Sequence, residues 1–156
     1  MTATAKKQMS VRAQWQGKLQ FQAEGPSGYP VLMDSSVALG GEGAGNSPLE
    51  LILVGLVGCM GIGVTKLLEK MRQSPEGIEI VADGIRDEAV PHAISEIHLT
   101  FHVSGGVASS RIWQAVKLES EQYCPVAASL RATIVPHVFI NGSEVPEPQG
   151  SEEQEA

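Results

Sequence analysis

Apolar and polar positions alternate from the start of the chain. Met9, Val11, Ala13 and Trp15 keep a period of two, Gln16-Gly17 breaks it, and Leu19, Phe21 and Ala23 resume it. That pattern on both sides of a short turn predicts a β-hairpin. Pro26-Ser27-Gly28 makes the next turn, and Tyr29–Met33 reads as a third strand. A glycine-rich loop over 39–46 then runs into a helix start, with Ser47 as N-cap, Pro48 at the first helical position and Glu50 closing a capping box. The helix is expected to run to about Arg72, where Ser74-Pro75 and Gly77 stop it. Ile78–Ala82 and Ile94–Val103 read as strands, the second alternating at Ile97, Leu99, Phe101 and Val103. Ser109 or Ser110 is expected to cap a second helix with Ile112, Ala115, Val116 and Leu118 on its apolar face. Tyr123-Cys124-Pro125 interrupts that helix, Pro125 starts a short one to about Thr133, and Ile134–Ile140 reads as the last strand.

The order β-β-β-α-β-β-α-α-β predicts an α+β fold with antiparallel sheets and segregated helices. A loose leader is expected over 1–8, one domain over 9–145 and an acidic disordered tail over 146–156. The long helix constrains the assembly. From Pro48 to Arg72 it would measure roughly 37 Å, more than the radius of gyration of about 15 Å expected for a domain of this size. Its middle is apolar on every face, so it needs cover all round, and a second copy of the chain is the expected source. Gly55, Cys59 and Gly63 recur every four residues and share one face. Either close helix packing or a substrate groove accounts for that stripe.

Composition narrows the partners. The 156 residues carry a net charge of -7, and their Lys and Arg are scattered, which argues against nucleic acid. The apolar run Leu51–Val64 is 14 residues long, short of the roughly 20 a membrane span needs, and reads as a buried core helix. No secretory leader is visible and there are only two cysteines, so a cytoplasmic protein is expected. His98 and His102 would lie about 13 Å apart on a strand, too far to share a metal ion, and His92 and His137 each follow a proline. No cofactor or metal is called for. The glycine-rich loop could hold a phosphate, but without a Walker lysine the signal is weak.

Any chemistry centres on Cys59 and Cys124. Cys59 sits in mid-helix on the small-residue stripe. Cys124 precedes Pro125 at an expected N-cap, where a helix N-terminus lowers a thiol's pKa. Each is equally well read alone as a small buried hydrophobe.

The run Gly40–Cys59, with a proline eleven residues before the cysteine, together with Tyr123-Cys124-Pro125 and the hairpin at Trp15-Gln16-Gly17, resembles the OsmC/Ohr family over about residues 9–140. The resemblance implies an intertwined homodimer with long central helices and active sites at the subunit interface. It also implies reduction of organic hydroperoxides. Cys59 would be the peroxidatic and Cys124 the resolving cysteine, passing through a sulfenic acid to a disulfide, with a lipoylated or thioredoxin-like dithiol as reductant. Two positions depart from the pattern. The first hairpin has Lys18 where the family's peroxidases carry an arginine, and Arg12 on the first strand is the nearest alternative. The glutamate expected directly after the proline is displaced by one residue to Glu50. Glu50 lies about 13 Å along the helix from Cys59, so a contact between them would have to come from a partner subunit. Two other readings stay open: a non-catalytic dimer binding an apolar small molecule, and a thiol enzyme acting on another electrophile.

Overall fold

The computed structural model describes residues 6–149. Parts of the expected leader and tail, 1–5 and 150–156, lie outside the described residues. The chain divides into two compact units, one up to Ile52 and the other from Leu53.

The first unit holds a three-stranded antiparallel sheet in the order β1 (Arg12–Gly17), β2 (Gln20–Glu24), β3 (Val31–Met33). Positive φ at Gly17 and Lys18, +105° and +49°, turns the hairpin, and Trp15 faces Phe21 across it. After β3 the chain makes a 3₁₀ turn over Val37–Leu39 and the glycine-rich loop. That loop is wound around Asp34. The buried Asp34 carboxylate accepts the backbone N–H groups of Ser35, Glu42 and Ala44 at 2.7, 3.2 and 3.0 Å. The Ala44 amide first, and those of Ser35 and Glu42 with it, hold its pKa below the usual carboxylate value against the opposing effect of burial. The loop's donors thus serve the chain's own carboxylate, which answers the weak phosphate signal. Only glycine fits at Gly41, where a Cβ would lie 2.0 Å from the Ser35 carbonyl oxygen.

The helix α1 (Pro48–Lys70) begins as the sequence predicts and ends two residues early. The Ser47 N–H donates to the Glu50 carboxylate and the Glu50 N–H to Ser47 Oγ, each at 3.2 Å, which is the reciprocal capping box. With 23 residues α1 is apolar enough, by length and composition, to cross a membrane. Packing gives it a different role. Leu56, Met60, Val64 and Leu68 form a stripe with no exposed surface inside the core of the second unit. Burial is one-sided within a single chain: Ile52, Val54 and Ile62 remain 40%, 51% and 62% exposed.

The second unit's sheet has the order β4 (Gly77–Arg86), β5 (Ile94–Ser104), β6 (Thr133–Ile140), β7 (Ser143–Glu144). Ile97, Leu99, Phe101 and Val103 of β5 point into the core as their alternation predicts, joined by Val138 of β6. The sheet is not wholly antiparallel. β5 and β6 run parallel, because the chain crosses between them through α2 (Ser109–Leu118), a π-helical turn over Glu119–Tyr123 and α3 (Pro125–Ser129). Ala108, not Ser109 or Ser110, is the N-cap of α2, and α3 stops at Ser129 rather than Thr133. β7 was not legible in the sequence. It closes the edge after a turn at Asn141-Gly142, with φ of +49° and +83°.

Two substitutions test this packing. Phe101→Ala should lower the unfolding free energy by about 3–5 kcal/mol, since the ring is fully buried. Ser47→Ala should cost about 1 kcal/mol through loss of the cap. Urea denaturation measures both.

Candidate thiol site

The fold brings the two cysteines together. Cys59 comes from the middle of α1 and is partly buried. Cys124 is the N-cap of α3 and only 2% exposed. The Cys124 thiol donates to Cys59 Sγ at 2.7 Å across 65 positions of sequence. Both thiols are free.

The N-cap contact expected at Cys124 is present, with the Ala127 N–H donating to its sulfur at 3.3 Å. Its electrostatic consequence is the reverse of the expected one. Burial first, then the hydrogen bond to Cys59, push the Cys124 thiol up to about 11, and the backbone N–H of Ala127 offsets only part of this. A helix of one turn supplies a small field, and loss of hydration outweighs it. At neutral pH Cys124 therefore stays a thiol and acts as donor. Its hydrogen bond runs to Cys59, the less buried of the two cysteines.

The π-helical turn sets this geometry. Its extra residue lets the Cys124 N–H reach the Glu119 carbonyl at 2.8 Å, five positions back. The same turn delivers the Glu119 side chain to the sulfurs. Ligand atoms of Cys59, Glu119 and Cys124 all lie within 4.8 Å of one another. Glu119 is 5% exposed. Its carboxyl pKa is raised by burial, and the positive charge of Lys66 pulls the other way. Room for it comes from Gly63, where a Cβ would sit 1.9 to 2.2 Å from the carboxylate atoms. The small-residue stripe thus has a specific use at one position. At Gly55, by contrast, a Cβ would meet nothing within 4 Å. Two sulfurs and a carboxylate could in principle ligate a soft metal. Thiolates sharing a tetrahedral zinc stand about 3.8 Å apart, given Zn–S bonds near 2.3 Å. The observed 2.7 Å is shorter than that spacing.

Sequence reasoning missed Glu119, although a signal was there. It continues the apolar series Ile112, Ala115, Val116 at helical spacing, so a charged residue stands at a core position.

The remaining candidates are engaged elsewhere. Glu50 closes the capping box. Lys18 is ion-paired with Glu42, which also accepts from Gln20 Nε2 at 2.9 Å. Arg12 lies exposed on β1 opposite Glu24. All three belong to the first unit. The histidines group differently from their sequence spacing. His98 lies between His137 and Glu96, with ring-nitrogen contacts of 2.8 and 2.7 Å, while His102 packs on Phe139. A cleft of about 380 Å³ opens beside Cys124, lined among others by Lys117, Ser120, Glu121, Ala127 and Ala132.

The sequence pattern of the OsmC-like protein family matches residues 41–138. The chain belongs to that family. Protein YhfA of Escherichia coli (strain K12) is 34% identical over 127 residues, spanning 81% of this chain and 92% of its own. A hypothetical protein from Aquifex aeolicus VF5 has a similar structure, with 28% identity and a TM-score of 0.76 over 86% of this chain and 97% of its own. An organic hydroperoxide resistance protein OsmC from Legionella pneumophila shares the fold at 18% identity, with a TM-score of 0.63 over 88% of this chain and 98% of its own.

The buried thiol makes a prediction about pH. Because the folded Cys124 binds its proton more tightly than the unfolded chain does, stability is retained below the ordinary value of 9.0 and lost as pH rises toward about 11. Thermal denaturation should show Tm falling across that window, with a shallower fall in Cys124→Ala.

Proposed function

We propose that this OsmC-like chain is a cysteine-based peroxidase that reduces organic hydroperoxides. The observation that carries the reading is the 2.7 Å contact between the sulfur of a partly buried cysteine and that of a buried one. In this reading the Cys59 thiolate attacks one peroxide oxygen, the O–O bond breaks, and the alkoxide leaves as an alcohol with the proton the thiol gave up. Cys59 is left as a sulfenic acid. The Cys124 thiol then displaces water from it and a Cys59–Cys124 disulfide forms. An external dithiol, lipoylated or thioredoxin-like, restores both thiols by exchange. The cleft beside Cys124 offers that reductant an approach. A raised pKa suits the resolving role, because Cys124 remains protonated until the sulfenic acid is in place. Organic hydroperoxide resistance in the name of the Legionella relative is in keeping with this chemistry.

The working unit in this proposal is a homodimer in the cytoplasm. Ile52, Val54 and Ile62 are large, apolar and exposed along one helix, and a second copy of α1 would cover them. The open space beside Gly55 and Gly58 allows such a helix to approach closely. The same apolar face supports a second reading, in which the dimer binds an apolar small molecule without turning it over.

One equivalent of cumene hydroperoxide should consume both thiols and yield the Cys59–Cys124 disulfide, seen by mass spectrometry. Cys59→Ser should abolish consumption, and Cys124→Ser should stop at a sulfenic acid that dimedone traps. Two free thiols surviving an excess of hydroperoxide would end the proposal in favour of the binding reading. Light scattering should report twice the 16.5 kDa chain mass.

A further inference from the structure

The described residues bury two acids, Asp34 and Glu119. Four donors account for Asp34: three backbone amides and Gln20 Nε2 at 3.4 Å. Glu119 has no comparable set. The groups that face it are Cys59 and Lys66 from α1 and Cys124 from the cap of α3. Burying a carboxylate without such a set of donors costs stability, because loss of water disfavours its charged form. Both α1 and the π-helical turn are nonetheless shaped to put it there, one by a glycine and the other by an added residue.

We propose that Glu119 is the acid–base partner of the thiol pair, taking the proton that leaves a thiol and returning it to the alkoxide that leaves a hydroperoxide. This role rests on the hydroperoxide reading for its substrate. The Cys59 proton passes to the Glu119 carboxylate. The thiolate then forms an S–O bond as the O–O bond breaks. The departing alkoxide receives the proton from the Glu119 carboxyl and leaves as the alcohol. The sulfur, oxidised by two electrons, keeps the terminal O–H as sulfenic acid. In the second step the Cys124 proton travels the same way to the departing hydroxide, which leaves as water. An alkoxide is a poor leaving group, so a proton delivered within reach of the sulfur lowers that barrier directly. Burial raises the Glu119 pKa, so this carboxyl holds a proton more readily than an exposed one.

The test compares wild type with Glu119→Gln and Gly63→Ala on two oxidants that differ in leaving group. tert-Butyl hydroperoxide expels a strongly basic alkoxide, whereas peracetic acid expels acetate, which needs no proton. Gly63→Ala pushes the carboxylate off its seat while improving α1, since alanine is the better helix former. Both variants should lose on the order of 10²-fold more in the rate constant for the hydroperoxide than for the peracid. Iodoacetamide alkylation of Cys59 should also move to lower pH in Glu119→Gln, because a neighbouring negative charge is gone. Equal losses on the two oxidants overturn the proposal and leave Glu119 a structural residue. A wild type that consumes neither oxidant removes the hydroperoxide reading alone. The alkylation profile then decides for Glu119: a lowered midpoint supports the link to the thiols, and an unmoved one overturns it.

Discussion

The exclusion of water from Cys124 is the constraint on which the site depends. A thiol shut away from solvent and pushed up to about 11 cannot carry charge at neutral pH. It can only donate, and the acceptor within reach is Cys59 at 2.7 Å. Two chemically identical residues stand in different surroundings, and burial is the largest part of the difference. Cys59 is only partly buried, and Cys124 is enclosed and holds its proton. An N-terminal helical turn at Cys124 would ordinarily favour the thiolate, and here it is the weaker influence.

Much of the second unit serves to enclose that pair. The β5 face of Ile97, Leu99, Phe101 and Val103 supplies a dry wall, and the Leu56–Leu68 stripe of α1 packs in the same core. Because β5 and β6 are parallel, the chain must cross over the sheet between them, and the crossover carries the π-helical turn and the cap of α3. The crossover thus sets Cys124 against the middle of α1. Trp113, buried on α2, satisfies its indole N–H on the Val145 carbonyl at 3.0 Å, fixing the crossover to the strand edge.

The family membership and the local chemistry do not map onto each other position for position. Lys18 is committed to Glu42 and Glu50 to the helix cap, so both side chains have local partners. A carboxyl does stand beside the sulfurs, but it comes from a different part of the chain. Glu119 is seated against Gly63, so its place depends on a residue that has no side chain.

Local signals determined a great deal. Alternation in Ile97–Val103 fixed a strand and its buried face, because a pleated strand has a period of two. Ser47, Pro48 and Glu50 fixed where α1 begins, because unpaired backbone amides demand a cap within a few residues. The family was legible in the interval from Pro48 to Cys59 and in Tyr123-Cys124-Pro125. What only the tertiary structure decided involves residues distant in the chain. The parallel pairing of β5 with β6 depends on a crossover path that periodicity does not encode. The direction of the Cys124 pKa depends on how much water remains around it, which is a property of the whole core. Glu119 reads in sequence as a charge interrupting an apolar stripe, and its place against Gly63 and the two sulfurs arises only when α1 and the π-helical turn meet.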